Sequence, residues 1–333
     1  MNTRRSPSAV TLEDVAKMAG VSRATVSRVV NGTRNVDIAI QDAVRQAIEK
    51  TGYSPNRAAR SLVTRRTDAV ALVVSGSSGD VFADPFFGRV VGGVVGYLRD
   101  HHVHALLMLA DDEITRADVL HRVRQGDVDG VLVVNTDPED PMPAMLRIAG
   151  LPAVGFSRTA FPLPFVDVRH REGGRMAARH LLERGRLKLA TISGPRHVPA
   201  SQNRIRGFRD IAGERVPNAR GNFTMASGEE AMDELLEEYS DINGVFVAND
   251  LMAQGALVAL RENGLNVPGD VAVVGFDDSS AALASRPKLT TIRQPVEEMG
   301  AAMAQTLLEH VRNPDSVLGK VMFEPELVIR DSS

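Results

Sequence analysis

The stretch VTLEDVAKMAGVSRATVSRVVNG, residues 10–32, decides the architecture of the first part of the chain. Thr11 precedes Leu12 and is followed three residues on by Asp14. That spacing predicts an N-capped helix with an acid in its first turn, where the helix dipole favours it. Val15, Ala16 and Ala19 form its apolar side, and Gly20 suits the left-handed conformation past a helix end. Ser22 caps a second helix over residues 23–30. Val26, Val29 and Val30 turn inward against Val15 and Ala19, which leaves Arg23, Ala24, Thr25, Ser27 and Arg28 for the outer side. Two helices joined by a turn of about four residues form a helix-turn-helix layout. Small residues with two arginines suit a helix that enters a major groove and reaches base edges. A small helical bundle with a polar face fits the same spacing.

Downstream, Asp37 caps a third helix whose Ile40, Val44, Ala47 and Ile48 recur at helical spacing, with a stop near Gly52. Pro55 holds Ser54 extended, and the Ala-rich residues after it form a short helix. A helix so short is marginal alone in water, so it reads as a linker that folds only when supported.

Charge divides the chain in the same place. Residues 1–66 hold twelve Lys/Arg against five Asp/Glu, a net +7, while the remainder carries −10 within an overall −3. A basic module on an acidic body points to a polyanion as the module's partner, although many basic termini are merely solvated. There is no cysteine, which excludes disulfides, thiolate metal sites and cysteine nucleophiles. No signal-peptide pattern follows Arg4 and Arg5, and no apolar run is long enough to span a bilayer. A cytoplasmic location is expected.

Residues 10–62, from VTLEDVAKMAGVSRATVSRVVNG through GYSPNRAARSL, closely resemble the DNA-binding headpiece of the lactose repressor / galactose repressor family. The resemblance implies that Arg23, Ala24 and Arg28 face bases and that Ser22, Thr25 and Asn31 contact phosphates, with Thr11 at the same face. It also implies that Asn56, Arg57, Ala58, Ala59 and Arg60 form a minor-groove hinge helix, with Leu62 wedged into the central base step. The implied organisation is a headpiece at 1–55, a hinge and linker at 56–66 and a core at 67–333.

In that core, short apolar runs alternate with amphipathic stretches. Strands are predicted at 69–74, 105–109, 130–134, 153–156, 189–192, 244–247 and 271–275, with a final one at 327–330. Helices are predicted between them, at 87–99, 117–125, 174–184, 202–211, 229–239 and 252–263. Alternation of this kind implies parallel sheets covered on both faces, either one barrel or two doubly wound lobes. The family resemblance continues in DGVLVV (129–134), VFVANDLMAQGAL (245–257), VPGDVAVVGFDDS (267–279) and LTTIRQPVEEMG (289–300). It implies a periplasmic-binding-protein-like core of two α/β lobes, each a doubly wound parallel sheet. The N-lobe would take about 67–165 and 294–324, and the C-lobe about 166–293 and 325–333.

Ligands of open α/β lobes sit beyond the carboxyl ends of strands. The residues expected there are Asp84, Phe86, Phe87, Ser157, Arg158, Asn249 and Asp277, with Gln294 at the second crossover and Phe223 as a stacking ring. Arg204 matches the position where the family places an arginine on the ligand. An arginine, carboxylates, amides and aromatic faces suit a polyhydroxy ligand, a sugar or related polar metabolite. Plainer readings stand beside these: Asn249 and Asp250 as helix caps, Asp277-Asp278 as a loop pair, and Phe86-Phe87 as core. Where many relatives carry Asp-Asn, this chain has Arg169-His170, and Val198 and Ala200 replace polar loop residues, so no relative's ligand carries over.

No nucleophile elbow, phosphate loop, dinucleotide fingerprint or zinc-protease motif is present, and His101, His102 and His104 are the nearest approach to a metal cluster. The chain therefore reads as a regulator without catalytic residues, cofactor or metal. Its expected partners are double-stranded operator DNA, a small polar effector and a second copy of itself, since half-site reading requires two-fold symmetry. A dimer rather than a tetramer is expected, because Ser333 follows directly on the last apparent strand. An enzyme with a grafted headpiece and a transport-type binding protein are the rival classes.

Overall fold

Local capping chemistry starts and stops the first three helices. The computed structural model describes residues 10–30, 36–53, 66–75, 83–134, 139–158, 163–314 and 319–333. Residues Met1–Thr67 and Asp68–Ser333 form two separate units. The first contains α1 (Leu12–Ala19), α2 (Arg23–Val30) and α3 (Ile38–Thr51). Thr11 and Asp14 form a reciprocal capping box, in which the Asp14 carboxylate accepts from the Thr11 backbone N–H at 2.9 Å. Gly20 ends α1 at φ +66°, where a side chain would be strained. Val15, Val26, Val44 and Ala47 meet in one core, which Tyr53 closes.

The second unit contains two six-stranded sheets. The first has the order β11-β5-β4-β3-β1-β2, built from β1 (Ala69–Val74), β2 (His104–Leu109), β3 (Val131–Val134), β4 (Ala153–Phe156), β5 (Phe165–Val168) and β11 (Lys320–Phe323). The second has the order β12-β10-β9-β8-β6-β7, built from β6 (Leu189–Ser193), β7 (Asn218–Arg220), β8 (Gly244–Val247), β9 (Ala272–Asp277), β10 (Thr290–Arg293) and β12 (Glu326–Val328). The barrel alternative is thereby set aside. Pairing is parallel throughout except for β12, which runs antiparallel to β10.

The helices are α4 (Pro85–Asp100), α5 (Glu113–Gln125), α6 (Met142–Ile148), α7 (His170–Glu183), α8 (Pro199–Ala212), α9 (Met225–Glu238), α10 (Asp250–Glu262), α11 (Ser280–Ala284) and α12 (Val296–Arg312). The apolar sides of α4 and α12 bury Val90, Val94, Met299 and Met303 with Leu72 and Leu132 of the first sheet. In the second lobe Met252, Ala256 and Leu260 of α10 pack on Val245, Val247 and Val273. The all-buried runs of β1, β3, β4, β8 and β9 are what sheets covered on both faces require.

One boundary differs from the sequence expectation. β5 pairs with β4 and β11 in the first sheet, so the chain crosses to the second lobe at Arg169 rather than before Val166. The alternation of half-buried Phe165 and Asp167 with buried Val166 and Val168 fits a strand one place in from the sheet's edge, covered fully on one face only. The chain crosses back after Arg293 and again between Phe323 and Glu326. In register, Val74 pairs with Val134, and Val134 with Phe156, so the segments after these strands leave from one sheet edge.

Candidate nucleic-acid interface and ligand cleft

On the headpiece, burial separates the two sides of α2 as the apolar pattern requires. Val26 is buried, whereas Ser22, Arg23, Ala24 and Arg28 are exposed and Thr25 is half-buried. The Ser22 hydroxyl caps α2 by accepting from the Thr25 backbone N–H at 3.1 Å and lies 2.8 Å from the Thr25 hydroxyl. Arg23 forms an exposed ion pair with Glu13 at 3.1 Å. Such a pair is worth little and yields readily to a phosphate or a base. Thr11 is exposed within its capping box. Asn31, Asn56, Arg57, Ala59, Arg60 and Leu62 lie outside the described residues.

In the core, close helix packing places the cleft residues. A Cβ on Gly174 of α7 would lie 2.0 Å from the Arg204 carbonyl oxygen, and one on Gly207 of α8 would lie 1.9 Å from that of Arg171. These two glycines let α7 and α8 touch backbone to backbone, which brings Arg204 beside His170. Arg204 Nε donates to His170 Nδ1 at 3.2 Å, and Nη1 donates to the Ala248 carbonyl at 2.5 Å. Nη1 also lies 3.4 Å from Asp277 Oδ1, and the guanidinium carbon sits 3.7 Å above the Phe276 ring centre. Burial pulls the Arg204 pKa down, while Asp277, Asp167, Asp250 and Asp84 pull it up. A guanidinium starts so high that it stays charged.

Asp277 ends β9 at φ +111°, followed by Asp278 at φ +51°. Two consecutive side chains in positive φ store strain that surrounding contacts must hold. The Asp277 carboxylate accepts from Gln294 Nε2 at 2.6 Å, and Asp278 is held by Arg293 at 2.7 Å and by Arg330. Burial pushes the Asp277 carboxyl up; Arg204 opposes this, and Asp250 and Asp84 reinforce it. Asp84 caps α4 by accepting from the Phe86 N–H at 2.9 Å, and burial raises it while the nearby Arg204 charge lowers it. Asp84 of the first lobe thus feels Arg204 and Asp277 of the second.

Other expected residues have plainer positions. Phe86 and Phe87 pack against the first lobe's core, Phe86 meeting Phe156 edge-on at 5.4 Å. Asn249 caps α10, accepting from the Met252 N–H at 3.0 Å and donating to the Phe223 carbonyl at 3.1 Å. Phe223, at φ +72°, rests its ring against Gly194, where a Cβ would clash at 2.3 Å. Ser157 follows β4, and the exposed Arg158 holds its guanidinium 5.7 Å from the Phe165 ring centre. Among the described residues no side-chain hydrogen bond or ion pair joins Ser157 or Arg158 to Arg204 or Asp277.

Four charged or titratable residues outside the expected ligand set belong to the cluster. Arg89 of α4 forms a bidentate pair with Glu297 and donates to the Asp277 carbonyl at 2.8 Å. His170 is buried between Arg204 and Asp167. Asp250 is fully buried, accepting from Thr291 Oγ1 at 2.6 Å and the Ser279 N–H at 2.7 Å. Asp167 is the polar member of an otherwise apolar strand, a signal the sequence reading did not use, whereas His170 and Asp250 stood out there only as a family departure and a helix cap. The whole arrangement is a lattice of donors and acceptors suited to holding a polar molecule.

Comparison with known proteins agrees with both halves. Residues 11–56 match the bacterial regulatory proteins of the lacI family, and residues 178–333 match the periplasmic binding protein-like domain. The HTH-type transcriptional regulator CelR of Thermobifida fusca is 41% identical over 342 residues, covering 100% of each chain. The chain belongs to the LacI family. The HTH-type transcriptional repressor PurR of Vibrio atlanticus (strain LGP32) is 32% identical, covering 97% of this chain and 98% of its own. Among solved structures, a complex of CelR with cellobiose is 39% identical with a TM-score of 0.75, over 97% of this chain and 100% of that one. The Lac repressor dimer bound to operator and the anti-inducer ONPF is 26% identical with a TM-score of 0.84, over 97% and 99%. This LacI-family chain is therefore a DNA-binding transcriptional regulator and not an enzyme. Among the described residues no helix is long and apolar enough to cross a membrane.

Proposed function

We propose that this LacI-family regulator is a cytoplasmic repressor that binds a palindromic operator as a homodimer and responds to a sugar, cellobiose or a close relative, held between its lobes. One observation carries the effector reading. Among the described residues Arg204 Nη2, Asp277 Oδ2 and Asp84 Oδ2 make no hydrogen bond, although their sister atoms are all engaged. A donor set against two acceptors matches adjacent hydroxyls of a sugar, and the similarity to a regulator solved with cellobiose supports the same class.

On DNA, Arg23, Ala24 and Arg28 take the bases, and Thr11, Ser22, Thr25 and Asn31 take the backbone. The segment with Asn56, Arg57, Ala59, Arg60 and Leu62 engages the minor groove. The dimer reading rests on β2, an edge strand that leaves Leu106 and Leu107 each 46% exposed, with Val95 of α4 also exposed. A second copy covering this edge removes both the apolar surface and the unpaired strand. Isothermal titration of the full chain with cellobiose, other sugars and nucleosides tests the effector. Binding of a sugar that Arg204→Ala abolishes supports the reading; equal binding by that variant contradicts it.

A further inference from the structure

His170 is the first residue of α7, directly after the chain crosses between lobes at Arg169, and it is buried. Its Nε2 lies 3.1 Å from Asp167 Oδ1, and its Nδ1 lies 3.2 Å from Arg204 Nε. An arginine Nε–H only donates, so Nδ1 is the acceptor and the neutral ring carries its proton on Nε2, which donates to Asp167. Asp167 belongs to β5 of the first sheet, whereas Arg204 belongs to α8 of the second lobe. Beyond Arg204 the path continues to Asp277 at 3.4 Å and from there to Gln294 at 2.6 Å, just past β10. A single polar chain therefore joins one crossover to the other and passes through the arginine of the cleft.

We propose that His170 is the positioning residue of this cleft: as the neutral Nε2–H tautomer it fixes the Arg204 guanidinium against the ligand and anchors it to the first crossover, and its protonation releases Arg204 and weakens ligand binding. The proposal rests on the reading of the cleft as the effector site.

The groups around the ring decide the sign. Asp167 from β5 favours the imidazolium; Arg204 from α8 opposes it, and the Phe276 ring, 5.9 Å away on β9, adds no charge. Asp277, Asp250 and Asp84 act on the far side of Arg204. Burial and Arg204 outweigh Asp167, so the His170 pKa lies below the usual histidine value. The ring stays neutral at physiological pH, and as the pH falls a proton on Nδ1 sets two donors against each other and removes the acceptor of Arg204 Nε.

The test uses the full chain. Long-range proton–nitrogen NMR of histidine-labelled protein, assigned with His170→Asn, reads the tautomer without any ligand. Protonation on Nε2, with a titration that moves upward in Arg204→Gln, is expected. Protonation on Nδ1, or a titration unchanged in that variant, overturns the proposal. In parallel, cellobiose affinity is measured from about pH 8 down to the lowest pH at which circular dichroism shows both proteins folded. The parent is expected to lose affinity more steeply than His170→Asn as the pH falls through the His170 titration, the variant keeping only the dependence that the raised Asp277 and Asp250 carboxyls impose. Identical pH profiles for the two proteins overturn the proposal. If cellobiose fails to bind the parent at all, the effector reading fails, and the ligand-free NMR still decides the role of His170.

Discussion

Arg89 and Asp277 lie in different lobes, and Arg89 Nη1 donates to the Asp277 carbonyl at 2.8 Å. Asp277 is therefore held twice, its backbone by the first lobe and its carboxylate by Arg204 and Gln294 of the cleft. Close packing makes this possible: a Cβ on Gly93 would lie 2.1 Å from the Glu297 carbonyl, so α4 and α12 run in contact and Arg89 reaches Glu297. Arg89→Ala removes a charge-assisted bond between the lobes. It is expected to weaken effector binding by about 1–3 kcal/mol through loss of the assembled geometry. Calorimetric titration checks this, and an unchanged Kd would show that the bond does not hold the cleft.

Arg204→Ala and Asp277→Asn are expected to abolish the effector response while operator binding survives, because the headpiece is a unit of its own. Loss of either partner leaves the other buried without its bond, which costs more than the loss of an exposed contact. Gel-shift titrations with and without cellobiose read both halves at once. A variant that responds like the parent is not part of the site.

Gly174→Ala acts through packing alone. The new methyl would meet the Arg204 carbonyl at 2.0 Å and the Phe208 amide at 2.8 Å, both backbone atoms that cannot swing aside. The helices must separate, at a cost of about 1–3 kcal/mol typical of overpacking. Chemical denaturation is expected to show that loss, together with reduced effector affinity, because the turn carrying Arg204 moves.

Arg28 is exposed on α2 with its neighbours' apolar groups turned away. Arg28→Ala is expected to cost about 1–3 kcal/mol on the cognate half-site and to relax one base position. Competition binding against a set of single-base operator variants measures this. Equal losses on specific and random DNA would assign Arg28 to the backbone instead.

The legible parts of the chain are those whose signals are local. Thr11, Gly20, Asp37 and Gly52 mark helix ends through bonds and backbone angles within a few residues, and the structure places ends there. The long apolar runs at β1, β4 and β8 stand out for the same reason. β5, β7 and β11 span three or four residues with no full apolar run, and pairing with distant partners is what makes them strands. Arg204 and Asp277, which the structure brings together, were expected in the site from family resemblance and, for Asp277, from its position at a strand end. Arg89 was not, because its partners Glu297 and Asp277 lie about two hundred residues away and nothing in its own neighbourhood announces them. Asn249 shows the converse, a residue whose polar side chain is used as the helix cap that local spacing also allowed.

Occupation of the cleft around Arg204 and Asp277 is expected to set the affinity of the headpiece for DNA. Fluorescence anisotropy of the full chain on a labelled palindromic duplex, selected from a random pool by the protein itself, tests it most directly when titrated with and without saturating cellobiose. The sugar is expected to change operator affinity by about 1–3 kcal/mol, the usual range of coupling between sites, and Arg204→Ala to bind the duplex normally with no such change. Identical parent affinities with and without a sugar that calorimetry shows to be bound would contradict it.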